Sequence, residues 1–324
     1  MKYSVIKYSD TSRSDWNTLV AGSKNGTFLL NRNFMEYHSD RFEDFSLMVY
    51  HDDKPVAVLP AHIKGNEVYS HWGLTYGGLV YSDKIKLASV LKISRAVLAF
   101  LDANAVSKLH VKLIPSIYHK IPADEFSYAL FVADARLIRK DSLCIIDTAN
   151  KLPFTKTRKE SIRRGAKNGI IIKEEPEFKL FWDKILIPNL QNKHDVKPVH
   201  TAEEMILLHK NFPENIRHFN VYLNDSIVAG TTVFVTDNVA HPQYISGNKD
   251  KNELGSLDYL YAYLINDVFA GKRFFDFGIS NEEQGRKLNQ GLVFWKESFG
   301  ARTLVQDFYE VETANFTKLD NVLI

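Results

Sequence analysis

Two stretches of this chain repeat one pattern, and this repeat constrains the fold more than any other feature. Val49–Ala57 aligns without a gap with Val221–Ala229. Each stretch contains two apolar runs separated by a polar turn, which predicts a β-hairpin. Each is followed by a third strand, a glycine-containing loop, a long amphipathic helix and a short strand. The sequence therefore predicts an internal duplication, with two similar domains at residues 1–150 and 151–324.

Hydrophobic spacing assigns further elements. Val56–Ile63 is predicted as one strand and Lys86–Ala103 as an amphipathic helix. Ser256 is the predicted N-cap of a second long helix, and Thr201 heads a capping box. Since each half contains a β-hairpin, a third strand, a helix and a further strand, we expect an α+β (mixed α/β) fold. Each domain would be a mixed, mostly antiparallel sheet flanked by helices.

Composition narrows the function classes. The net charge of +2 gives little support for RNA or DNA binding, so no nucleic-acid partner is expected. No apolar run reaches the roughly 18 residues that a membrane helix needs, and the first ten residues lack a signal-peptide core. We therefore expect a cytoplasmic protein without membrane insertion. The single cysteine, Cys144, lies in an apolar run and is expected to be buried.

Motifs of several enzyme classes are missing. The eleven histidines form no His-Glu-x-x-His pattern, so no metal is expected. The sequence also lacks the Gly-x-Ser-x-Gly elbow of serine hydrolases and the phosphate loop of nucleotide triphosphatases.

Two polar clusters have open interpretations. Residues 155–167 contain six basic residues and one acid, which is typical of a solvated helix face but would also suit a diphosphate, through Arg158 and Arg163. The second cluster follows the first helix and continues in the loop 71–78. It is either surface and core or a wall of an acceptor site, and its members are Arg32, Tyr37, His38, Arg41, His71 and Tyr76.

The second half carries a family resemblance. Four features resemble the C-terminal domain of the GNAT superfamily of acyltransferases in its duplicated, Fem-like form. They are the strand Gln243–Ser246, the loop and helix from Ser256, the strand Phe275–Gly278 and the helix that ends at Trp295–Gly300. The first half resembles the N-terminal domain, which is the other copy in that duplicated form. Length and layout are similar to those of bacterial N-acyltransferases that act on dTDP-linked amino-dideoxyhexoses.

The resemblance implies a donor site in a splayed sheet. The thioester arm of acyl-CoA would enter the splay, and the diphosphate would lie on the following loop and helix start. The implied donor-binding residues are Gln243, Ile245, Ser246, Gly247, Lys249, Lys251, Gly255 and Ser256. This loop contains less glycine than the usual family loop. The loops of Fem relatives also differ from the usual family loop, and these relatives use aminoacyl-tRNA. Aminoacyl-tRNA is therefore the alternative donor.

Acyl transfer to an amine needs a base and a group that stabilises the oxyanion. Lys296 matches a lysine that Fem-type enzymes place near the reacting carbonyl, and it could alternatively pair with a surface acid. His241 lies on the same strand face as Gln243 and is a candidate base or an ordinary strand-end histidine. Glu282 and Glu283 follow the Phe275–Gly278 strand and are candidate bases or solvated loop acids.

The predicted acceptor is a nucleotide-linked amino sugar, bound between the two copies for surface polysaccharide synthesis. Its predicted contacts are Arg32, Tyr37, His38, Arg41, His71, Tyr76, Arg158, Arg163 and Asn281. Two other readings remain open. One is an aminoacyl-tRNA-dependent transferase that acts on a peptidoglycan precursor, and the other is a non-catalytic binding protein.

Overall fold

The computed structural model describes residues 3–194 and 197–324, which form two compact units. Unit 1 contains the described residues up to Asp141 together with Val305–Ile324, and unit 2 is Ser142–Leu304. The evolutionary domain boundary at residue 150 stays a prediction. The compact units divide elsewhere, because the chain after Asp141 already contributes to the sheet of unit 2 and the last residues return to unit 1.

The secondary structure alternates between strands and helices throughout. The strands are β1 (Tyr3–Lys7), β2 (Glu43–Asp44), β3 (Leu47–His51), β4 (Lys54–Leu59), β5 (His62–Lys64), β6 (Glu67–Tyr69), β7 (Val80–Tyr81), β8 (Lys108–Lys112), β9 (Arg136–Asp147), β10 (Ile171–Glu174), β11 (Ile216–Leu223), β12 (Ser226–Val235), β13 (Val239–Gly247), β14 (Phe274–Ile279), β15 (Asn281–Glu282), β16 (Lys287–Leu288) and β17 (Arg302–Glu312). The α-helices are α1 (Arg13–Ala21), α2 (Arg32–Met35), α3 (Leu87–Ala103), α4 (Glu125–Val132), α5 (Lys156–Lys167), α6 (Phe178–Phe181), α7 (Ile187–His194), α8 (Ala202–Asn211), α9 (Lys251–Leu254), α10 (Ser256–Tyr263) and α11 (Gln290–Glu297). Short 3₁₀ turns are Asp10–Ser12, Phe28–Leu30, Glu36–His38, Ser116–Tyr118, Thr148–Asn150 and Thr313–Leu319, and π-helical turns are Trp182–Leu186 and Leu264–Val268.

Unit 1 contains two sheets. One has the antiparallel order β1–β3–β4–β7, and the other has the order β17–β8–β6–β5–β2, in which β6 and β8 run parallel. The prediction of one strand over Val56–Ile63 is wrong, because β4 and β5 belong to different sheets. Pro60, which has no N–H to donate to a ladder, lies between them. Helix α3 matches its predicted range closely, and its buried face packs into the core of this unit.

Unit 2 is built around one sheet with the order β10–β11–β12–β13–β14–β9, in which β13 and β14 are parallel. Residues of the sheet and of α10, such as Phe219, Leu260 and Phe275, are buried together in its core. The capping box at Thr201 is confirmed. Ser256 is not the N-cap of α10, because Gly255 takes that place with a left-handed φ of +68°. Among the described residues, no helix combines the length and apolar character that a membrane crossing requires.

The predicted repeat is visible in backbone detail. The turn between β3 and β4 has positive φ at Asp52 and Asp53, and the turn between β11 and β12 has it at Asn224 and Asp225. Two consecutive positive φ angles define the two-residue hairpin turn that fits twisted strands, and Asn and Asp tolerate them. Each hairpin also contains a bulge at its Val-Tyr pair, at the aligned position. Aligned turns and bulges are what a duplicated hairpin would retain.

Candidate active site

Strands β13 and β14 form a fork in the sheet of unit 2. Their parallel ladder contains the pairs Val239–Phe274 and Ala240–Phe275. Beyond these pairs, β13 continues along β12, and β14 continues along β9. Within the described residues, segment 241–247 therefore has a strand partner on one side and an open edge on the other. The splay implied by the resemblance is present.

The corresponding pair in unit 1 is closed. Strand β6 pairs with β8 over all of its residues, Glu67–Tyr69. The Ser70 amide continues this ladder by donating to the His110 carbonyl oxygen over 2.8 Å. Of these two described parallel pairs, the one in unit 2 thus leaves an open backbone edge.

A bulge shapes the β14 side of the fork. Its pairing with β9 is interrupted between Asp276 and Ile279, and Gly278 within the bulge has a φ of +71°. A Cβ at Gly278 would lie 3.0 Å from Cε1 of His241, so a side chain there would crowd the imidazole. Glycine is favoured at this position by both its backbone conformation and this close approach.

His241 lies across the fork just beyond the last ladder pair. Its Nδ1 is 2.9 Å from the carbonyl oxygen of Asp276, and its side chain is mostly buried. A carbonyl oxygen only accepts hydrogen bonds, so the neutral ring carries its proton on Nδ1. Its Nε2 is then an acceptor, which is the form a general base requires.

Lys296 extends from the last turn of α11 to the same bulge. Its side chain is 2% exposed, and Nζ donates to the carbonyl oxygens of Gly278 and Ile279 over 3.0 and 2.6 Å. Burial lowers the pKa of Lys296 to about 8, although Cys144 and Asp276 nearby oppose this effect. The ammonium form still predominates at pH 7. In the described contacts two of its three N–H groups are used, which leaves one for a developing negative charge.

Other polar groups of this region were not all found from the sequence. Cys144 is buried as predicted, and burial raises the pKa of its thiol, although Lys296 and Ser280 nearby oppose this effect.

The sequence does not show that Asp276 contacts His241, although Asp276 lies in the Phe275–Gly278 strand. On β13, the Gln243 Oε1 atom is buried without a hydrogen-bond partner among the described residues. A buried acceptor of this kind indicates a place for a ligand or water.

The start of α10 differs from the predicted diphosphate site. Helix α5 covers it: a Cβ at Gly255 would lie 2.4 Å from the Ser161 carbonyl oxygen, and Ser256 is fully buried. The roles predicted for Gly255 and Ser256 are therefore corrected, since both residues serve the packing of α5 on α10.

The remaining predicted donor residues have mixed positions. Lys249 is exposed and Lys251 is half-buried on the loop after Gly247, so both stay candidates. Ser246 is buried, and its hydroxyl accepts a hydrogen bond from Asn189 over 2.7 Å. Ile245 is half-buried on the face of β13 that also presents His241 and Gln243.

Arg158 has a structural partner instead of a substrate. It is 9% exposed, forms an ion pair with Asp258 of α10, and donates from Nε to the Ser298 hydroxyl over 2.8 Å. Its guanidinium also lies 4.7 Å from the ring centre of Phe299. The predicted diphosphate role of Arg158 is corrected, because this guanidinium joins three parts of unit 2. Arg163 is exposed on the same helix and stays a candidate.

The loop after β14 is a small hairpin of β15 and β16. Glu282 accepts from Asn289 over 3.1 Å, Glu283 pairs with Lys287 over 2.6 Å, and both carboxylates are exposed. This arrangement resembles solvated loop acids more than buried bases. Asn281 is half-exposed and its Oδ1 accepts hydrogen bonds from the amide and hydroxyl of Ser142, so it has a structural role and its substrate contact stays a prediction.

In unit 1, two predicted acceptor contacts are structural. Arg32 is buried, contacts Glu36, Asp44 and Ser46, and lies over the ring of Tyr8.

Tyr76 is also buried, and it donates to the Thr27 hydroxyl over 2.9 Å. Tyr76 is therefore not available to a substrate, and the charge of Arg32 is already paired with Glu36 and Asp44. The other four members of this set do lie near one another: the rings of Tyr37 and His38 stack at 4.1 Å, and His71 and Arg41 are close by.

Solved structures share this fold over most of the chain. FemX is 10% identical, with 98% of this chain and 99% of FemX covered and a TM-score of 0.65. A conserved protein of unknown function from Bacteroides thetaiotaomicron VPI-5482 is 11% identical, with coverage of 95% and 99% and a TM-score of 0.59. The C-terminal domain of a putative lysylphosphatidylglycerol synthetase from Agrobacterium fabrum is 14% identical, with coverage of 81% and 82% and a TM-score of 0.53. No protein-family model and no curated protein matches the sequence. This chain therefore shares the fold of FemX, and the predicted α+β fold class is confirmed.

Proposed function

We propose that the chain is an N-acyltransferase. It moves an acyl group from acyl-CoA to the amino group of a nucleotide-linked amino sugar, such as a dTDP-3-amino-3,6-dideoxyhexose. The product would serve lipopolysaccharide or capsule synthesis, and the reaction would take place in the cytoplasm. The observation that carries the proposal is the open fork of β13 and β14 with the Lys296 ammonium on its β14 side.

The fork suits an extended thioester arm. The pantetheine part of CoA contains amide groups, which can pair with the open edge of segment 241–247 as an added strand would. The exposed cations Lys249 and Arg163, both in unit 2, are the proposed contacts of phosphate groups. Gln243 offers a buried acceptor beside the same edge.

The chemistry is addition and elimination at a thioester. The neutral amine attacks the carbonyl carbon, and the C=O electron pair moves to oxygen. Lys296 stabilises this oxyanion, and Nε2 of His241 accepts the proton that the amine loses. The oxyanion's electron pair then re-forms the C=O bond, the C–S bond breaks and CoA leaves as its thiolate, which takes up the proton that His241 releases, and the amide remains. Buried in the protein, the Lys296 charge acts in a medium of low dielectric, where it interacts more strongly than in water.

Aminoacyl transfer is the second candidate. The fold is shared with a putative lysylphosphatidylglycerol synthetase, and an aminoacyl ester presents the same activated carbonyl to the fork and to Lys296. In this version the donor is an aminoacyl-tRNA and the acceptor is a peptidoglycan precursor.

A thiol-release assay separates these versions. The purified chain is incubated with a panel of acyl-CoAs and with dTDP-3-amino-3,6-dideoxyhexoses, and free CoA thiol is measured. The 3-hydroxy analogue of the sugar is the matched control, since it lacks the nucleophilic amine. We expect thiol release with the amino sugar alone and a higher melting temperature in the presence of CoA. If aminoacyl-tRNA is consumed and no acyl-CoA binds, the second candidate replaces the first.

A further inference from the structure

Apolar side chains are exposed at the start of α11. A stripe of apolar side chains runs along the inward face of this helix and the turn after it, and it contains Leu292, Trp295 and Phe299. Phe299 is fully buried, and Trp295 is half-buried against Tyr261 and Phe277. Leu292 continues the stripe but is 38% exposed. The inward face of the helix therefore leaves the core at its N-terminal end.

The ammonium group of Lys296 lies at the same end of the helix. The carbonyl oxygen of Ser280 accepts a hydrogen bond over 2.9 Å from the amide of Asn289, the N-cap of α11. The carbonyl oxygen of Ile279, one position earlier, accepts from Nζ of Lys296 over 2.6 Å. Long helical side chains point back toward the helix N-terminus, so the Lys296 stem lies over the turn that carries Leu292. Leu292 is therefore a neighbour of the group that would stabilise the oxyanion.

Two further exposed apolar side chains lie beside this end of the helix. Leu288 pairs with Asn281 in the β15–β16 hairpin, and the Asn289 amide continues this antiparallel pairing. Ile279 stands two positions before Asn281, so strand alternation places Ile279 and Leu288 as diagonal neighbours on one face. Ile279 is 38% exposed and Leu288 is 52% exposed. Ile279, Leu288 and Leu292 are called the apolar rim below.

The charges around the apolar rim cancel. The charged residues of the hairpin and of α11 are Glu282, Glu283, Arg286, Lys287, Lys296 and Glu297. They comprise as many acids as bases, and Glu283 forms an ion pair with Lys287 over 2.6 Å. Asp276 on β14 is buried against His241 and is not part of this surface. The surface beside the rim therefore selects neither an anion nor a cation.

A neutral, exposed and apolar surface favours a hydrocarbon ligand. Single exposed apolar residues are common on proteins, but three neighbours beside one buried ammonium form a continuous apolar surface. Sites for small molecules combine such surfaces with a few polar groups. Hydrocarbon chains bind there because they leave water. In every acyl donor longer than acetyl, the carbonyl group that Lys296 polarises carries such a chain.

We propose that the apolar rim binds the hydrocarbon chain of the transferred acyl group. The donor class is then an acyl-CoA with an unbranched aliphatic chain longer than acetyl, since a single methyl group is too small to cover three side chains. This inference rests on the proposed acyl transfer and names the class of its donor.

The experiment measures chain-length preference in the thiol-release assay. Acetyl-CoA, butyryl-CoA and hexanoyl-CoA are compared as donors with one fixed amino sugar, and kcat/KM is determined for each. A fully buried methylene group changes kcat/KM by roughly fourfold, and a half-covered one by about twofold. Hexanoyl-CoA carries four more methylene groups than acetyl-CoA, so we expect it to exceed acetyl-CoA by roughly tenfold in kcat/KM.

Variants of one leucine locate the subsite. Leu292→Ser should lower the hexanoyl-to-acetyl ratio of kcat/KM by roughly fivefold, whereas Leu292→Met should retain it because methionine is apolar and of similar size. The matched control is Leu207→Ser, since Leu207 is a 50% exposed leucine on α8. This control should keep the wild-type ratio. Melting temperatures show that each variant is folded.

The outcomes separate the subsite from the reaction. Thiol release without chain-length preference, or one ratio shared by wild type, Leu292→Ser and Leu207→Ser, would leave acyl transfer standing and overturn the subsite. An unchanged ratio in Leu292→Ser together with loss of a dimer in size-exclusion chromatography would assign the rim to self-association instead. If no acyl-CoA releases thiol, the acyl-transfer reaction itself is wrong, and the subsite is wrong with it.

Discussion

Replacing Lys296 with methionine should separate catalysis from stability. The pKa of this lysine falls from 10.5 to about 8 on burial, which corresponds to roughly 3 kcal/mol against the charged form. At pH 7 the side chain is charged in both the folded and the unfolded chain, so this cost is fully present. Methionine removes it. Two carbonyl oxygens then lose their donor, at about 1 kcal/mol each. The free energy of unfolding should therefore stay within about 1 kcal/mol of the wild-type value.

Turnover should respond very differently. Removing one donor from an oxyanion site lowers kcat by roughly 10²- to 10³-fold, and we expect a loss of this size for Lys296→Met in the thiol-release assay. The matched control is Lys287→Met, since Lys287 is an exposed lysine paired with Glu283. It should retain wild-type turnover. Wild-type activity should also fall above about pH 8, as Lys296 loses its proton.

Stability gives the second readout. Because the folded-state pKa is lowered, the unfolded chain binds more protons between about pH 8 and pH 10.5. In that window the Lys296 contribution to wild-type stability should rise with pH, and the methionine variant should lack this rise. Turnover of Lys296→Met within tenfold of wild type would refute the catalytic role. If Lys296→Met lowers the free energy of unfolding by more than about 3 kcal/mol, the argument that the burial cost of the charge offsets its two hydrogen bonds is wrong.

Three further predictions follow from the described contacts. Gly278→Ala should destabilise the chain by about 1–3 kcal/mol, because alanine at this positive φ is strained and crowds His241; an unchanged melting temperature would contradict this. Arg158→Leu should cost about 3–5 kcal/mol by leaving Asp258 buried without its partner, whereas Arg163→Leu on the same helix should have little effect; equal melting temperatures would count against the buried pair. Between about pH 6.5 and pH 4 the unfolded chain binds protons that the buried rings of His38, His62 and His71 do not bind, so stability should fall by roughly 3 kcal/mol per ring as pH decreases. Melting curves across this range should show a shallower fall for His38→Phe, and an equal slope would exclude these rings as the cause.

Features encoded locally were predictable from the sequence. The repeated hairpin depends on alternation and on turn residues such as Asp52 and Asn224, and the capping box at Thr201 depends on neighbours three positions apart. Both features depend only on residues that are close together in the sequence. The fork could be predicted only from the family resemblance, because no hydrophobic periodicity shows that two strands separate after Ala240.

The errors have a common cause. The polar segments around Arg32 and Arg158 suggest substrate contacts, but Arg32 pairs with Asp44 beyond its own helix and Arg158 pairs with Asp258 on a different helix. Asn281 likewise meets Ser142, and Gly255 meets α5. Charge and polarity can be read from a sequence, but the partner that satisfies them is set by tertiary packing. His38 and His71 stand together in one predicted cluster, but the sequence does not show that His62 joins them, because that contact too is made by tertiary packing.

The contrast between the two parallel strand pairs has a consequence for how this chain could evolve. The parallel ladder between β6 and β8 includes every residue of β6. The ladder between β13 and β14 stops after two pairs, which leaves an open edge. With the ladder intact in one strand pair and open in the other, cohesion and access need not compete at the same pair. The closed pair tolerates substitutions that keep its packing, whereas substitutions along segment 241–247 would also change the side chains that border an open edge.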